Sequence, residues 1–369
     1  MNVLQIVPEL NAGGVEKTTL EMAEALIAHG HAAHILSAGG RMEPDLAQIG
    51  GILHRYNIGS KNLLSYFGSV AKVKSIMKAH DIDLVHVRSR APAWPAYRAA
   101  RSCGVPYLAT YHGIYNARSR LKTTYNAIMT KGELTIANSK ATKAHIIKTH
   151  QIAENKIVTI ARGVDLSTFD PAKISAIARQ QTRQGWSVED HHCVILLPGR
   201  LTAWKGQSVA IQALASLPSH FRLIIMGDSQ GRDGYVSGLE RLIADLGVAH
   251  KCQILPHNTD MAACLFAADM VLSTSIEPEA FGRVAIEAQA MGKPIIATAH
   301  GGSLETVLPE QTGLWVPVGD ARTLSEAIMR TAGWQSFDPL FARQHIVKNF
   351  SKQQLQDKTL AVYRRLIEN

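Results

Sequence analysis

The chain has 369 residues, more than the ~250–300 at which a single core stops growing, so two domains are expected. Hydrophobic residues make up 46% of it and charged residues 19%, which excludes the disordered and fibrous classes. The net charge of +9 is confined to residues 1–165, where 20 Lys and Arg face 11 Asp and Glu; residues 166–369 carry 19 of each sign.

Taken in chain order, apolar β-rich runs alternate with helical stretches. Val3–Val7, Ala33–Leu36, Leu84–Val87, Tyr107–Thr110, Leu134–Ala137 and Ile157–Ile160 read as strands; Val15–Ala28, Leu64–Lys78, Pro92–Arg101 and Lys140–Thr149 read as helices. Such alternation predicts a parallel sheet covered by helices. A polar, turn-rich passage, Arg162–His192, reads as a linker. A second cycle follows, with strands at Val194–Leu197, Phe221–Met226, Gln253–Leu255, Met270–Ser273, Pro294–Ala297 and Gly313–Val316. Its helices fall near Gln207–Leu217, Ser237–Leu246, Met261–Ala267, Arg283–Met291 and Thr323–Ala332. The expected organisation is a first α/β domain over 1–165, a second over 166–349, and a C-terminal helix in 350–369 returning to the first. Ligands of doubly wound sheets bind outside the carboxyl ends of the strands, so two facing domains are expected to share a cleft.

No apolar run approaches the roughly 18 residues of a membrane span, and Met1–Pro8 reads as a strand rather than a signal peptide, so a cytosolic protein is expected. Cys103, Cys193, Cys252 and Cys264 show no metal-ligand spacing and are expected reduced. Within Tyr115–His150, Arg118, Arg120, Lys122, Lys131, Lys140, Lys143 and Lys148 face a single acid, Glu133. This stripe reads either as a docking face for anionic lipid or a phosphorylated acceptor, or as a solvated basic face. It lacks the interleaved aromatics of a nucleic-acid platform.

Three motifs sit at strand ends. Asn11-Ala12-Gly13-Gly14-Val15-Glu16 opens a helix, and its paired glycines serve either a turn or the close approach of a phosphate to helix-start amides. Gly199-Arg200-Leu201-Thr202-Ala203-Trp204-Lys205-Gly206 places two cations on one loop, where they converge on a pyrophosphate or are simply solvated. In Ser275–Glu287, Glu279 lies on a Pro- and Gly-containing loop and Glu287 inside the following helix. As ligands, such carboxylates suit vicinal sugar hydroxyls; as a generic pair, they would be surface acids. No G-x-G-x-x-G fingerprint is present, which weakens a nicotinamide-enzyme reading.

Glu279-Ala280-Phe281-Gly282, with Glu287 eight residues from Glu279 and Ala-Met-Gly-Lys-Pro-Ile-Ile-Ala-Thr beyond it, closely resembles the family-4 glycosyltransferases of GT-B fold. The opening Gly-Gly-Val-Glu, Tyr111-His112-Gly113, Arg162-Gly163-Val164-Asp165, Gly199-Arg200 with Lys205-Gly206, Met226-Gly227-Asp228, and Gly301-Gly302 with Glu305 look like the family's motifs in order. The resemblance implies retaining, metal-independent transfer from a nucleotide-diphosphate sugar to a glycan or lipid-linked acceptor, with no further cofactor, as in lipopolysaccharide or other glycoconjugate synthesis. It implies Glu287 on the ribose, Glu279 on a donor-sugar hydroxyl, and amides near Phe281 and Gly282 assisting. Arg200 and Lys205 fall on the diphosphate, Gly14 close to it from across the cleft, Gly227 in the donor site, and His112 near the reacting sugar. With the basic stripe, it points to the inner face of a membrane.

Arg162 stands where the family commonly has Asn and reads as hinge variation with little bearing on chemistry. Asp81-Ile82-Asp83 matches the D-x-D of metal-dependent transferases but precedes its strand instead of following it, and His86 reads as a packed strand histidine. Two other readings fit the same scaffold: a nucleotide-sugar epimerase or hydrolase, and a silent nucleotide-sugar-binding subunit. The joint presence of His112, Arg200, Lys205, Glu279 and Glu287 argues against silence.

Overall fold

A computed structural model describes residues 1–11, 13–59, 63–115 and 119–368. The chain divides into two compact units, Met1–Arg162 with Lys352–Asn369, and Gly163–Ser351.

Unit 1 runs β1 (Asn2–Ile6), α1 (Gly14–Ala28), β2 (Ala32–Ser37), α2 (Glu43–Ile49), β3 (Ile52–Arg55), α3 (Leu63–Ala79) and β4 (Leu84–Val87). It continues through α4 (Arg90–Cys103), β5 (Tyr107–Tyr111), α5 (Arg120–Asn126), β6 (Leu134–Ala137), α6 (Lys140–His150) and β7 (Ile157–Thr159). The strands form one parallel sheet in the order β3-β2-β1-β4-β5-β6-β7. Both faces are covered, so central strands are apolar on both sides. In β1, Leu4 and Ile6 pack with Val73 and Met77 of α3, while Val3 faces Leu20 and Leu26 of α1 on the opposite side. Gly50 and Gly104, both in the left-handed region, end α2 and α4.

Unit 2 runs α7 (Ala176–Gly185), β8 (Cys193–Pro198), α8 (Gln207–Ala215), β9 (Phe221–Met226), α9 (Asp233–Asp245), β10 (Cys252–Leu255) and α10 (Met261–Ala267). Then come β11 (Met270–Ser273), α11 (Arg283–Ala290), β12 (Ile295–Thr298), α12 (Ser303–Thr306), β13 (Gly313–Val316), α13 (Ala321–Ala332) and α14 (Pro339–Asn349). Its sheet is parallel in the order β10-β9-β8-β11-β12-β13, with a core built from Ile195, Leu197, Phe221, Ile225 and Leu272 against α8 and α13. Asp260, Asp320 and Asp338 cap α10, α13 and α14 through their carboxylates. Each unit is thus a doubly wound, Rossmann-like α/β domain.

The last helix, α15 (Lys352–Glu368), packs against α1 in unit 1. It buries Leu355, Leu360, Val362, Tyr363 and Leu366, a gross apolar contribution on the order of 10 kcal/mol before ordering entropy. Its polar residues fix the register: Gln356 donates to the Glu21 carbonyl (2.7 Å), and Lys352 pairs with Glu24 (3.0 Å).

Among the described residues five helices, α2, α5, α7, α12 and α14, and one strand, β3, are absent from the sequence reading. The passage read as a linker contains α7, whose Arg183 donates to the carbonyls of Ala267, Glu189 and His192 and so is stitched onto the sheet's end. The edge strand β3, with α2 before it, and helices α5, α12 and α14 are also additions. β3 has no fully buried residue, so it lacks the apolar run that betrays a central strand.

Candidate functional site

In both sheets the connections reverse direction at one point, between β1 and β4 in unit 1 and between β8 and β11 in unit 2. Ligands of such sheets bind outside the carboxyl ends at that point. The loops after β8 and β11 in unit 2 are locked to one another there. Ile276 N–H donates to the Trp204 carbonyl (2.7 Å), and the Thr274 hydroxyl reaches the Lys205 and Gly206 carbonyls, each at 3.2 Å. The loop after β12 joins them, since Gly302 N–H donates to the Glu279 carbonyl (2.9 Å) and His300 Nε2 lies 2.8 Å from the Ser275 carbonyl.

At the centre of these loops Lys205 Nζ meets Glu279 Oε1 at 2.6 Å, both side chains mostly covered. The Ser275 hydroxyl donates to the same oxygen. Burial works against the Glu279 charge, but the ammonium and hydrogen bond of Lys205, with Ser275 and His300, holds the carboxyl below the usual carboxylate range. Lys205 also lies 4.6 Å from the Trp204 ring centre, and the exposed Arg200 lies over the same ring at 5.7 Å. One loop therefore carries a cation engaged with an acid and a cation open to solvent.

α11 begins beside this pair. Gly282, φ 82°, occupies its cap in the left-handed region, and the buried Phe281 before it packs edge-on against Phe350 at 5.8 Å. α11 thus starts from a packed base, and the first amides of a helix favour an anion. Glu287, one turn in, pairs with Arg283 at 3.3 Å. Gly227, at the end of β9, donates its N–H to the Leu255 carbonyl, and Gly199 N–H returns to Met226, so it borders the loop bearing Arg200.

Unit 1 builds a different site at its own reversal point. Arg88, at the end of β4, is fully buried; its Nε donates to Gln5 Oε1 (2.8 Å), and the Glu21 carboxylate and Tyr363 supply its electrostatic support. His86 uses both ring nitrogens, toward Tyr363 and Thr110, each at 2.7 Å. His112 follows β5, and Arg162 Nη2 lies 3.1 Å from its Nδ1. A guanidinium only donates, so Nδ1 accepts and Nε2 carries the proton. That Nε2 is inaccessible and has no hydrogen-bond partner among the described residues. Burial, then the charges of Arg162 and Arg88 and the neighbouring His86, push the imidazole well below its ordinary pKa, so it is neutral at neutral pH.

Gly14, the first residue of α1, lies against Arg162: a Cβ there would collide with Nη1. Arg162 therefore stands between Gly14 and His112, at the residue where unit 1 gives way to unit 2. Its significance was hidden because its partner lies 50 residues away; the departure from the family's Asn was the one available signal. The structure brings Arg200, Lys205, Glu279, Phe281, Gly282 and Glu287 together in unit 2, with Gly227 on an adjoining strand end, and Gly14 and His112 together in unit 1.

The D-x-D is structural. Asp83 accepts the Asn2 amide (2.7 Å) and the Asp81 carbonyl accepts the Asn2 side chain (3.1 Å), tying the entry of β4 to that of β1. All four cysteines are free thiols. Of the basic stripe, Arg118 lies outside the described residues, while Arg120 and Lys122 are exposed on α5 around Leu121, itself 85% exposed. Among the described residues no helix is long and apolar enough to cross a membrane.

Two parallel, doubly wound sheets, each with charged groups at its reversal point, define a two-domain α/β protein of Rossmann-like halves. Residues 12–168 match Glycosyltransferase Family 4 and residues 178–332 match Glycosyl transferases group 1. A glycosyltransferase from Rickettsia africae is 35% identical in sequence, with a TM-score of 0.93, over 100% of this chain and 99% of that one. The Anabaena protein HepE, solved in complex with UDP-glucose, is 24% identical with a TM-score of 0.88, over 99% and 100%. A D-inositol 3-phosphate glycosyltransferase of Mycobacterium marinum is 27% identical over 85% of this chain and 70% of its own length. The chain belongs to the group 1 glycosyltransferases, with a family-4 first domain and the GT-B fold, and is a transferase enzyme.

Proposed function

We propose that this glycosyltransferase moves a sugar from a nucleotide-diphosphate sugar to a glycan or lipid-linked acceptor, with retention of configuration and without a metal ion or other cofactor. The observation that carries the reading is the Lys205–Glu279 pair at 2.6 Å, on the same loop as the exposed guanidinium of Arg200 at the reversal point of unit 2. A bound diphosphate draws Lys205 and Arg200 to its oxygens and leaves Glu279 to accept hydroxyls of the sugar. Glu287 takes the ribose hydroxyls, and the amides near Phe281 and Gly282 face the donor, bordered by Gly227. The likeness to a protein solved with UDP-glucose makes UDP-sugars the first donors to try.

In the reaction, the bond from the anomeric carbon to the phosphate oxygen breaks and its electron pair stays on the diphosphate. The acceptor oxygen forms the new bond on the same face, and its proton passes to the departing phosphate. Fixed cations and helix-start amides oppose the growing negative charge, the role a metal plays elsewhere. His112, neutral and positioned by Arg162, stands near the reacting sugar. Gly14, lacking a side chain, leaves room for Arg162 beside His112.

The acceptor reading rests on α5, where an exposed leucine sits between Arg120 and Lys122, a composition that suits an anionic bilayer surface. It places the protein in the cytoplasm, at the inner face of the membrane, in lipopolysaccharide or related cell-surface glycoconjugate synthesis.

The test is a donor screen with UDP-, GDP- and ADP-sugars and a membrane-extract acceptor, with and without chelator, read by mass spectrometry. Chelator-resistant glycoside formation with retained configuration, lost in Glu279→Ala, is expected. Nucleotide release without a glycoside would overturn transfer, and loss with chelator would overturn metal independence. Arg120→Glu/Lys122→Glu should abolish partitioning to anionic vesicles; unchanged partitioning removes the membrane reading.

A further inference from the structure

Three histidines converge at the β3 edge of the unit 1 sheet, away from the β1–β4 reversal point. His34 lies in β2, His54 in β3, and His80 directly follows α3. The strand register pairs Leu36 with His54 and His34 with Ile52, which puts both strand histidines on the sheet face that α3 covers. His34 Nδ1 and His54 Nε2 are 3.0 Å apart, and the three residues offer one nitrogen each within 4.8 Å of one another. His34 and His54 stack at 12° with ring centres 5.3 Å apart, and His80 tilts against both at 4.8 Å. His34 is buried, His54 half-buried and His80 exposed, so the cluster has a closed floor and a mouth open to water.

We propose that His34, His54 and His80 form a binding site for a divalent transition-metal ion, with Zn²⁺ as the fitting one, that ties β2, β3 and the end of α3 together. Tetrahedral Zn²⁺ with bonds of about 2.0–2.1 Å holds its ligand nitrogens roughly 3.3 Å apart, close to the existing His34–His54 separation. Only the exposed His80 has to swing inward, by an ångström or so on the scale of those ligand distances. Three imidazoles without a thiolate or carboxylate favour Zn²⁺, Cu²⁺ or Ni²⁺ over the oxygen-seeking Mg²⁺ and Ca²⁺. A water completes the fourth position at the open mouth. The site is a clamp on the edge of the sheet and has no part in sugar transfer.

The experiment titrates Zn²⁺ into chelator-stripped full-length protein by calorimetry and follows the melting temperature. One strong site per chain is expected, with a rise of roughly 5 °C at a hundredfold excess over Kd. Both effects should disappear in His80→Ala, chosen because an exposed side chain can be removed without opening the core, and in His54→Gln. His220→Ala, on the other unit, should leave both intact. Cu²⁺ bound at the same site should show nitrogen hyperfine coupling from three imidazoles. Absence of a saturable site, binding that survives both cluster variants, or coupling from fewer than three nitrogens in the parent protein overturns the proposal. Transferase activity of His80→Ala, assayed well below its melting temperature, should equal that of the parent, which separates this test from that of the transfer reaction.

Discussion

The two reversal points share a strand order and differ in how they hold charge. In unit 2 the cations and acids lie on loops, and the central pair, Lys205 with Glu279, is a contact each partner can trade for a ligand group. In unit 1 the charges are sunk into the sheet: Arg88 is fully buried on Gln5, and His86 and His112 are neutral rings tied by neighbours from β5, α15 and the chain after β7. The same frame thus serves once as a site of exchangeable ion pairs and once as a preorganised network. Substitutions at the Lys205–Glu279 pair should act on catalysis directly, and those in the unit 1 network through the placement of His112 and through stability.

The largest effect is expected at the exchangeable pair. Glu279→Ala and Lys205→Ala should each lower kcat/KM by ~10²–10³. The melting temperature should fall by a few degrees as well, because the partner's charge is left uncompensated in a mostly covered site, but the folded fraction at the assay temperature should stay high. A variant that loses stability in proportion to activity would erase the contrast between the units. Next is Arg162→Met, which removes the donor to His112 Nδ1 and frees the ring to turn or change tautomer. Misplacement on the ångström scale costs up to ~10² in rate, so kcat should fall while donor affinity, read by calorimetry, stays near that of the parent. An equal loss of affinity would mean that Arg162 is itself a ligand group.

The buried network should also set the acid limit of the fold. Burial holds His86 and His112 well below 6.5, whereas in the unfolded chain both take up protons near that value. Below pH 6.5 the unfolded state binds more protons, so the stability present above 6.5 is lost as pH falls toward the depressed folded values. Each ring contributes a slope of up to about 1.4 kcal/mol per pH unit. Urea midpoints from pH 7.5 to 5.5 should therefore decline less steeply in His86→Gln. Tyr363→Phe, which orphans His86 Nδ1, should cost about 1–3 kcal/mol at pH 7.5. Identical slopes in parent and His86→Gln would show that His86 is not held neutral.

What could be read from the sequence divides along the same line. Central strands such as Val3–Val7 and Phe221–Met226 announce themselves because both faces are buried, and the loop motifs of unit 2 are contiguous in the chain. Edge strand β3 and helix α7 were missed because a half-exposed strand and a helix inside a polar passage carry no apolar period. The unit 1 network was legible only in part, since it is assembled from residues 5, 86, 88, 112, 162 and 363 by the sheet order itself. For the same reason His34, His54 and His80 show no ligand motif: their neighbourhood is a product of strand register.

The smallest effect separates the units most cleanly, because one substitution can be made at a helix start in each. Gly282 has φ 82°, and a Cβ there would meet nothing closer than Glu279 Oε2 at 3.7 Å, so Gly282→Ala adds backbone strain of about 1–2 kcal/mol without a collision. Gly14 is not in the left-handed region, so Gly14→Ala adds no such strain but drives its methyl into Arg162. Gly282→Ala should therefore lower the melting temperature by a few degrees. Gly14→Ala should leave melting nearly unchanged and lower kcat in the manner of Arg162→Met. Combined with Arg162→Met it should add little, because both changes undo the same support of His112. Additive losses in the double variant would mean that Gly14 acts on the phosphate independently of His112, and the network in unit 1 would then have to be divided into two sites.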